Sequence, residues 1–211
     1  MINIDFLISY LNELYPDAHC QLIYKKDYEL LIAIMLSAQT SDVAVNKATA
    51  ILFERYKTLN ELKNADLKDL ENIISFLGMK NVKSKNIKNI ATLLVDKYDG
   101  VVPKNEDELL SFPGVGVKTK NCFLAEYYSF PLLAIDTHVQ RICKRLSIVN
   151  EKDDPLVIEE KLYNLLPKEK IVLINHQIIS FGRNICKAKN PNCKICKLSN
   201  CCHYFKNIVR Q

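Results

Sequence analysis

"SFPGVGVKTKN", residues 111–121, decides how the chain is read. Pro113 stops a helix arriving from its N-terminal side, and Gly114 and Gly116 permit the positive φ values that a tight reversal needs. Glu106 to Ser111 reads as a short helix before the bend and Lys118 to Tyr128 as a longer one after it. With no bulky side chains in the way, the N–H groups of Gly114, Val115 and Gly116 are expected to face outward as a small anion nest. The positive end of the second helix adds to it, and together they suit one phosphate of a nucleic-acid backbone. A plain helix–helix turn is the competing reading. A nucleotide-binding P-loop is disfavoured, because the G-x-x-x-x-G-K-[ST] spacing is absent and no strand leads in.

Outward from the bend, helical periodicity dominates. Phe6, Leu7, Tyr10, Leu11 and Leu14 form one stripe, and Leu67, Leu70, Ile73, Ile74 and Leu77 another, with Gly78 as its expected C-cap. Ile87, Ile90, Leu93, Leu94 and Tyr98 repeat the pattern and stop at Gly100. "ELLIAIML" (29–36) is apolar on nearly every side and should be a helix buried in the middle of the fold. Asp154 before Pro155 has the signature of an N-cap and first helical residue. No sustained alternation reads as strands. The expectation is an all-α protein of about ten short helices in two lobes with a groove between them. The predicted division is 22–132, a helical domain containing the bend (about 106–128), and 1–21 plus 133–211, a second helical domain.

The charge is uneven. The formal net charge is +5, yet residues 183–211 hold seven Lys or Arg and no acid, leaving 22 positive against 24 negative charges in the first 182. That asymmetry fits a polyanion-binding surface, and a solvated basic tail explains it equally well. The N-terminal "MINIDFLISYLNELYPD" lacks the basic start and cleavage site of a signal peptide, and no apolar run reaches the length of a membrane span. The expectation is a cytoplasmic, nucleoid-associated protein with no membrane partner.

Of eight cysteines, Cys20, Cys122 and Cys143 sit in apolar helical surroundings and read as small core residues. The other five crowd into 186–202, which in a cytosolic chain suggests a metal centre before disulfides. Cys186, Cys193, Cys196 and Cys202 follow C-x6-C-x2-C-x5-C. Four thiolates hold either Zn²⁺ or a [4Fe–4S] cluster; with one close pair and wide flanking loops, the spacing favours the larger cluster. Cys201 abuts Cys202 and leaves the fourth ligand ambiguous by one residue. Lys187, Lys189, Lys194 and Lys197 surround the cysteines, so the loop would present a basic face to DNA.

Taken jointly, "LLSFPGVGVKTKN" (109–121), "AIDTHVQRICKR" (134–145), "LSAQTSD" (36–42) and the cysteine spacing resemble the endonuclease III family of DNA glycosylases, within the helix-hairpin-helix superfamily. The resemblance covers nearly the whole chain. It implies a bifunctional DNA N-glycosylase and abasic-site lyase that removes oxidised pyrimidines in base excision repair. It further implies a [4Fe–4S] cluster and duplex DNA bearing a damaged base or abasic site as partner, with the protein acting as a monomer. Residue by residue, it makes Lys118 the nucleophile that forms a Schiff base, and Asp136 its helper. The attacking lysine must be neutral, which a place in the first turn of a helix favours. Because a base inside a duplex is out of reach, such enzymes flip the nucleotide out. The resemblance then assigns Gln39 to the gap and Met79, in "FLGMKNVKSKN" (76–86), to the wedge, where leucine would be typical. Gly114, Val115, Gly116, Lys187 and Lys189 become DNA contacts. Without it, Lys118 is a surface lysine and Asp136 a helix cap; Lys83, Lys85 and Lys88 read either as backbone-phosphate contacts or as a solvated helix face. His138 is read as structural or DNA-adjacent.

Two other functions remain open on the residues. One is a mismatch-specific or adenine-specific monofunctional glycosylase of the same superfamily. Lys118 argues against it, and the adenine branch carries a further C-terminal domain, whereas this sequence stops nine residues after Cys202. The other is a non-catalytic DNA-binding protein with a structural metal.

Overall fold

A computed structural model describes residues 2–209; Met1 of the N-terminal stretch, and Arg210 and Gln211 of the basic tail, lie outside the described residues. Among those described there are eleven α-helices, a few short 3-10 and π turns, and no strand. The helices are α1 (Ile4–Leu14), α2 (Asp27–Leu36), α3 (Asp42–Arg55), α4 (Leu59–Lys63), α5 (Leu67–Ile73) and α6 (Lys80–Lys97). They continue with α7 (Glu106–Leu110), α8 (Val117–Tyr128), α9 (Thr137–Arg145), α10 (Pro155–Leu165) and α11 (Ile171–Asn184). No helix is long and apolar enough to cross a membrane. The chain falls into two compact units, Gln21–Tyr128 and Met1–Cys20 with Ser129–Gln211.

In Gln21–Tyr128 the organising element is α2. Every residue from Tyr28 to Leu36 is buried, as its all-round apolar sequence demands. It packs against α3, α6 and α8, so it fixes the floor on which the bend and its neighbours rest. The Asp27 carboxylate at its start reaches across to accept from the Val102 N–H at 2.8 Å. The helix ends are capped locally: Ser41 for α3, Thr58 in a reciprocal capping box with Glu61 for α4, Asp66 for α5 and Asn105 for α7.

In the other unit, α1, α9, α10 and α11 enclose a core of Leu7, Leu11, Val139, Ile142, Ile158, Leu162, Ile178 and Phe181. Asp154 caps α10 with Pro155 at its first position, as the sequence pattern requires. Tyr10 meets Phe181 edge-on, 6.1 Å between ring centres, and fixes α1 against α11.

Four local expectations fail. The stripe ending at Leu77 is not one helix: α5 stops at Ile73, Ile74 caps it, and Gly78 keeps a negative φ. The left-handed residue is Met79, at φ 61, immediately before α6. Phe6 lies outside its stripe and is exposed. Cys143 is a core residue, whose thiol burial pushes up to about 12, but Cys20 and Cys122 are half-buried. Lastly, the lysine face of α6 is not solvated throughout: Lys85 is exposed, Lys83 is buried, and Lys88 donates to the Ala65 carbonyl at 2.8 Å.

Candidate active site

The bend is a type II turn, with Pro113 in its second position and Gly114, at φ +79, in its third. The Val115 N–H closes it on the Phe112 carbonyl at 3.1 Å. A Cβ on Gly114 would collide with the Asn86 side-chain amide and stand 3.1 Å from Met35 Cγ. Gly116 differs from expectation: its φ is not positive, and a Cβ there would meet nothing within 4 Å. Its carbonyl accepts the first bond of α8, from the Lys120 N–H at 2.9 Å. The nest is thus smaller than the sequence suggested. Val115 has a buried side chain and uses its N–H inside the turn, whereas the N–H groups of Gly114 and Gly116 make no backbone hydrogen bond among the described residues.

Two lysines follow, and the structure separates them. Lys120 is buried and its Nζ pairs with Glu106 at the start of α7, which ties the two helices of the hairpin together. Lys118, half a turn earlier, is exposed, with no hydrogen bond or ion pair among the described residues.

Gln39 and Met79 are both exposed, and both hold a left-handed backbone, at φ 55 and φ 61. Gln39 occupies the turn after α2 that the Thr40 N–H closes on the Ser37 carbonyl at 3.0 Å.

In the other unit, α9 starts at Asp136. One carboxylate oxygen accepts from the His138 and Val139 N–H groups, each at 2.8 Å, and the second oxygen is left for other partners. The other end of α9 serves the cysteine loop. Arg141 donates to the Gly182 and Cys186 carbonyls at 2.9 and 3.0 Å. Arg145 is buried and donates to the Lys187 and Ala188 carbonyls at 2.7 and 3.0 Å, stands 3.3 Å from Cys186 Sγ, and lies 4.0 Å over the Tyr204 ring. The N-terminal helix helps from the opposite side: Tyr10 accepts from the Lys197 N–H, and Glu13 pairs with Lys197 Nζ at 2.6 Å. Lys197 is exposed but paired with Glu13, whereas Lys187, Lys189 and Lys194 are exposed with no carboxylate partner among the described residues.

Cys186, Cys193, Cys196 and Cys202 all line one small cavity of about 20 Å³, part of it open to solvent. Cys201 does not line it; its Sγ is 3.2 Å from the Leu198 carbonyl, which settles the fourth cavity-facing thiol in favour of Cys202. Burial first, and then charge on the neighbouring cysteines, raises the Cys193 and Cys202 thiols and takes Cys196 up to about 11. Among the described residues no three His, Cys, Asp or Glu side chains converge on a point that would hold one ion. A tetrahedral zinc needs its thiolates about 3.8 Å apart, given zinc–sulfur bonds of about 2.3 Å. A [4Fe–4S] cube takes one thiolate on each of four irons, so its ligands stand apart around a void. Four cysteines lining one cavity, in an apolar wall with an arginine beside them, are the donor set of a four-thiolate centre.

Several of these contacts left no trace in the sequence. Asn86 behind Gly114, Lys83 beneath Gln39, and the Glu106–Lys120 pair join residues with no motif spacing. Arg141 and Arg145 had one available sign, two cations a turn apart on an amphipathic helix leading toward the cysteines.

Comparison with known proteins accounts for this arrangement. Residues 32–168 match the HhH-GPD superfamily of base excision DNA repair proteins. Endonuclease III of Bacillus subtilis (strain 168) is 38% identical over 199 residues, covering 94% of this chain and 91% of that one. A trapped endonuclease III–DNA covalent intermediate, an estranged-adenine complex, matches over 100% of both chains with a TM-score of 0.95 and 39% identity. A thermostable thymine-DNA glycosylase shares the fold at 21% identity, with a TM-score of 0.83 over 96% of both chains. The chain belongs to the endonuclease III family of the HhH-GPD superfamily and is a base excision repair glycosylase and lyase acting on DNA.

Proposed function

We propose that the chain removes oxidised pyrimidines from duplex DNA, with Lys118 as its nucleophile and Asp136 as the assisting carboxylate. The observation that carries the assignment is the contrast within "VKTKN". Lys120 is buried in an ion pair, and Lys118, in the first turn of α8, is exposed and unpaired among the described residues. In its neutral form the Lys118 amine attacks C1′ of the flipped nucleotide. The C1′–N bond breaks, and the base leaves with the bonding pair and takes up a proton. Loss of the amine proton and opening of the sugar give an iminium between Nζ and C1′. The iminium acidifies C2′; loss of that proton expels the 3′ phosphate as the C3′–O bond breaks. Asp136 stabilises the cationic sugar and shuttles protons.

Around that chemistry, Gly114, Val115 and Gly116 form the bend that grips a backbone phosphate, and Gln39 and Met79 fill the vacated stack. Lys187 and Lys189 contact the backbone. Cys186, Cys193, Cys196 and Cys202 hold a [4Fe–4S] cluster, which when bound supplies a cross-link within the loop. The four cavity-facing thiols and the Arg145 bonds to the loop carbonyls support this.

The test is borohydride trapping on a duplex carrying one oxidised pyrimidine, with Lys118→Ala beside the wild type. A covalent complex with the wild type alone is expected. Base release without trapping would make the enzyme monofunctional, with water as nucleophile. Trapping that survives Lys118→Ala would move the nucleophile elsewhere.

A further inference from the structure

Lys83 sits in the first turns of α6 at 3% exposure. Among the described residues it has no carboxylate partner, and burial pulls its amine below the usual lysine pKa. Its Nζ donates to the Ala38 carbonyl and the Thr40 hydroxyl, each at 2.9 Å. Those two groups flank Gln39. Its backbone N–H donates to the Met79 carbonyl at 3.0 Å. That main-chain bond is the ordinary first-turn bond of α6 and would form with any residue at 83, whereas the side-chain bonds are the lysine's own and hold the turn at Gln39, whose left-handed backbone residues other than glycine rarely adopt. Such conformations persist where the surroundings over-determine them. An apolar side chain would fill the same space without burying an amine, so hydrophobic packing alone does not account for a lysine here.

We infer that Lys83 is a positioning residue for nucleotide flipping, clamping the 38–40 turn with its side chain so that Gln39 enters the duplex in a fixed place. The inference rests on the reading of Gln39 as a residue that fills the stack. Lys83 touches no reacting atom in this scheme; it acts through Gln39.

The experiment is a double-mutant cycle of Lys83→Met and Gln39→Ala. It is read as single-turnover base release from an oxidised-pyrimidine duplex and as 2-aminopurine fluorescence beside the lesion. Lys83→Met should slow base release about tenfold to a hundredfold, the scale of a small misplacement, with affinity for undamaged duplex unchanged. Amide exchange at residues 37–40 should quicken. The double variant should be no slower than the slower single one, because the clamp has nothing left to hold. If Gln39→Ala is impaired while Lys83→Met reacts at the wild-type rate, or the two losses multiply, the clamp is overturned and the gap-filling reading survives. If Gln39→Ala itself reacts normally, the gap-filling reading falls and takes the clamp with it. Should Lys83→Met fail to fold, Thr40→Val, which removes one acceptor from a half-exposed residue, is put through the same cycle with the same outcomes.

Discussion

The bend at 112–117 and the cysteine loop at 186–202 are both irregular, yet they hold their shape by opposite means. The bend is packed from within. Phe112 and Val115 are buried under it, Tyr98 lies 5.3 Å from Phe112, and Asn86 and Met35 press on Gly114. Of the cysteine loop only Leu198 and Cys202 are buried, and its backbone is held by side chains reaching in from α9 and α1. Chain packing is enough to specify the bend. The loop ends instead on four cysteines lining one small cavity, and on the proposed reading a bound cluster would complete it.

The largest effect should come from taking that outside contribution away. Cys196→Ala is expected to lose iron and to lower DNA cleavage by more than about a hundredfold, beyond the upper end of what second-layer partners of a metal site cost. Helicity, measured by far-ultraviolet circular dichroism, should change little, since no α-helix lies within 186–202. An iron-free variant that still cuts at the wild-type rate would break the contrast, because the loop would then be self-sufficient like the bend.

The two glycines sharpen it next. Gly114→Ala meets both a left-handed backbone and the Asn86 amide, and should cost about 1–3 kcal/mol in thermal or urea unfolding. Gly116→Ala meets nothing in the protein, so stability should stay within about 1 kcal/mol. If the bend grips a phosphate as proposed, the effect of this substitution should appear instead in weaker DNA affinity, because a Cβ would take the open space beside the bend. Equal losses of stability would mean that Gly116 serves the fold after all.

Smaller again is the basic face of the loop. Neutralising Lys187 and Lys189 together should flatten the plot of log affinity against log salt by about two, one for each phosphate that no longer meets a cation. Lys197→Gln should leave that slope alone, since Glu13 already neutralises Lys197. The reverse pattern would mean that the ion pair opens on DNA.

Most helices, the Asp154 cap and the buried α2 were legible because each follows from a local rule: spacing of apolar residues, or Asp before Pro. The site was legible only where residues near in sequence act together, as in 113–118 or the close cysteine pair. Gly78 and Met79 illustrate the limit. The local rule gives the left-handed position to glycine, but α5 ends at Ile73 and the left-handed residue is Met79, the N-cap of α6. Asn86, Lys83 and Glu106 reach the site across sequence distances that no spacing encodes, so the role of a lysine there depends on what it is buried against.

The smallest expected effect concerns α9, which carries Asp136 at one end and grips the cysteine loop with the other. His138 packs against Gly182, and its Nδ1 lies 3.1 Å from the Arg141 guanidinium, which only donates, so Nδ1 accepts and the ring proton sits on Nε2. Burial chiefly, helped by Arg141 and Arg183 and opposed by Asp136, lowers its pKa. With the folded value below an unfolded one of about 6.5, the neutral ring contributes fully above that pH. As pH falls, the unfolded chain binds the proton first and the contribution is lost. The melting temperature of the wild type should therefore fall between pH 7 and pH 5 by more than that of His138→Gln. Parallel falls would show that the imidazole charges without disturbing Arg141, and would leave the hold of α9 on Cys186 independent of the state of His138.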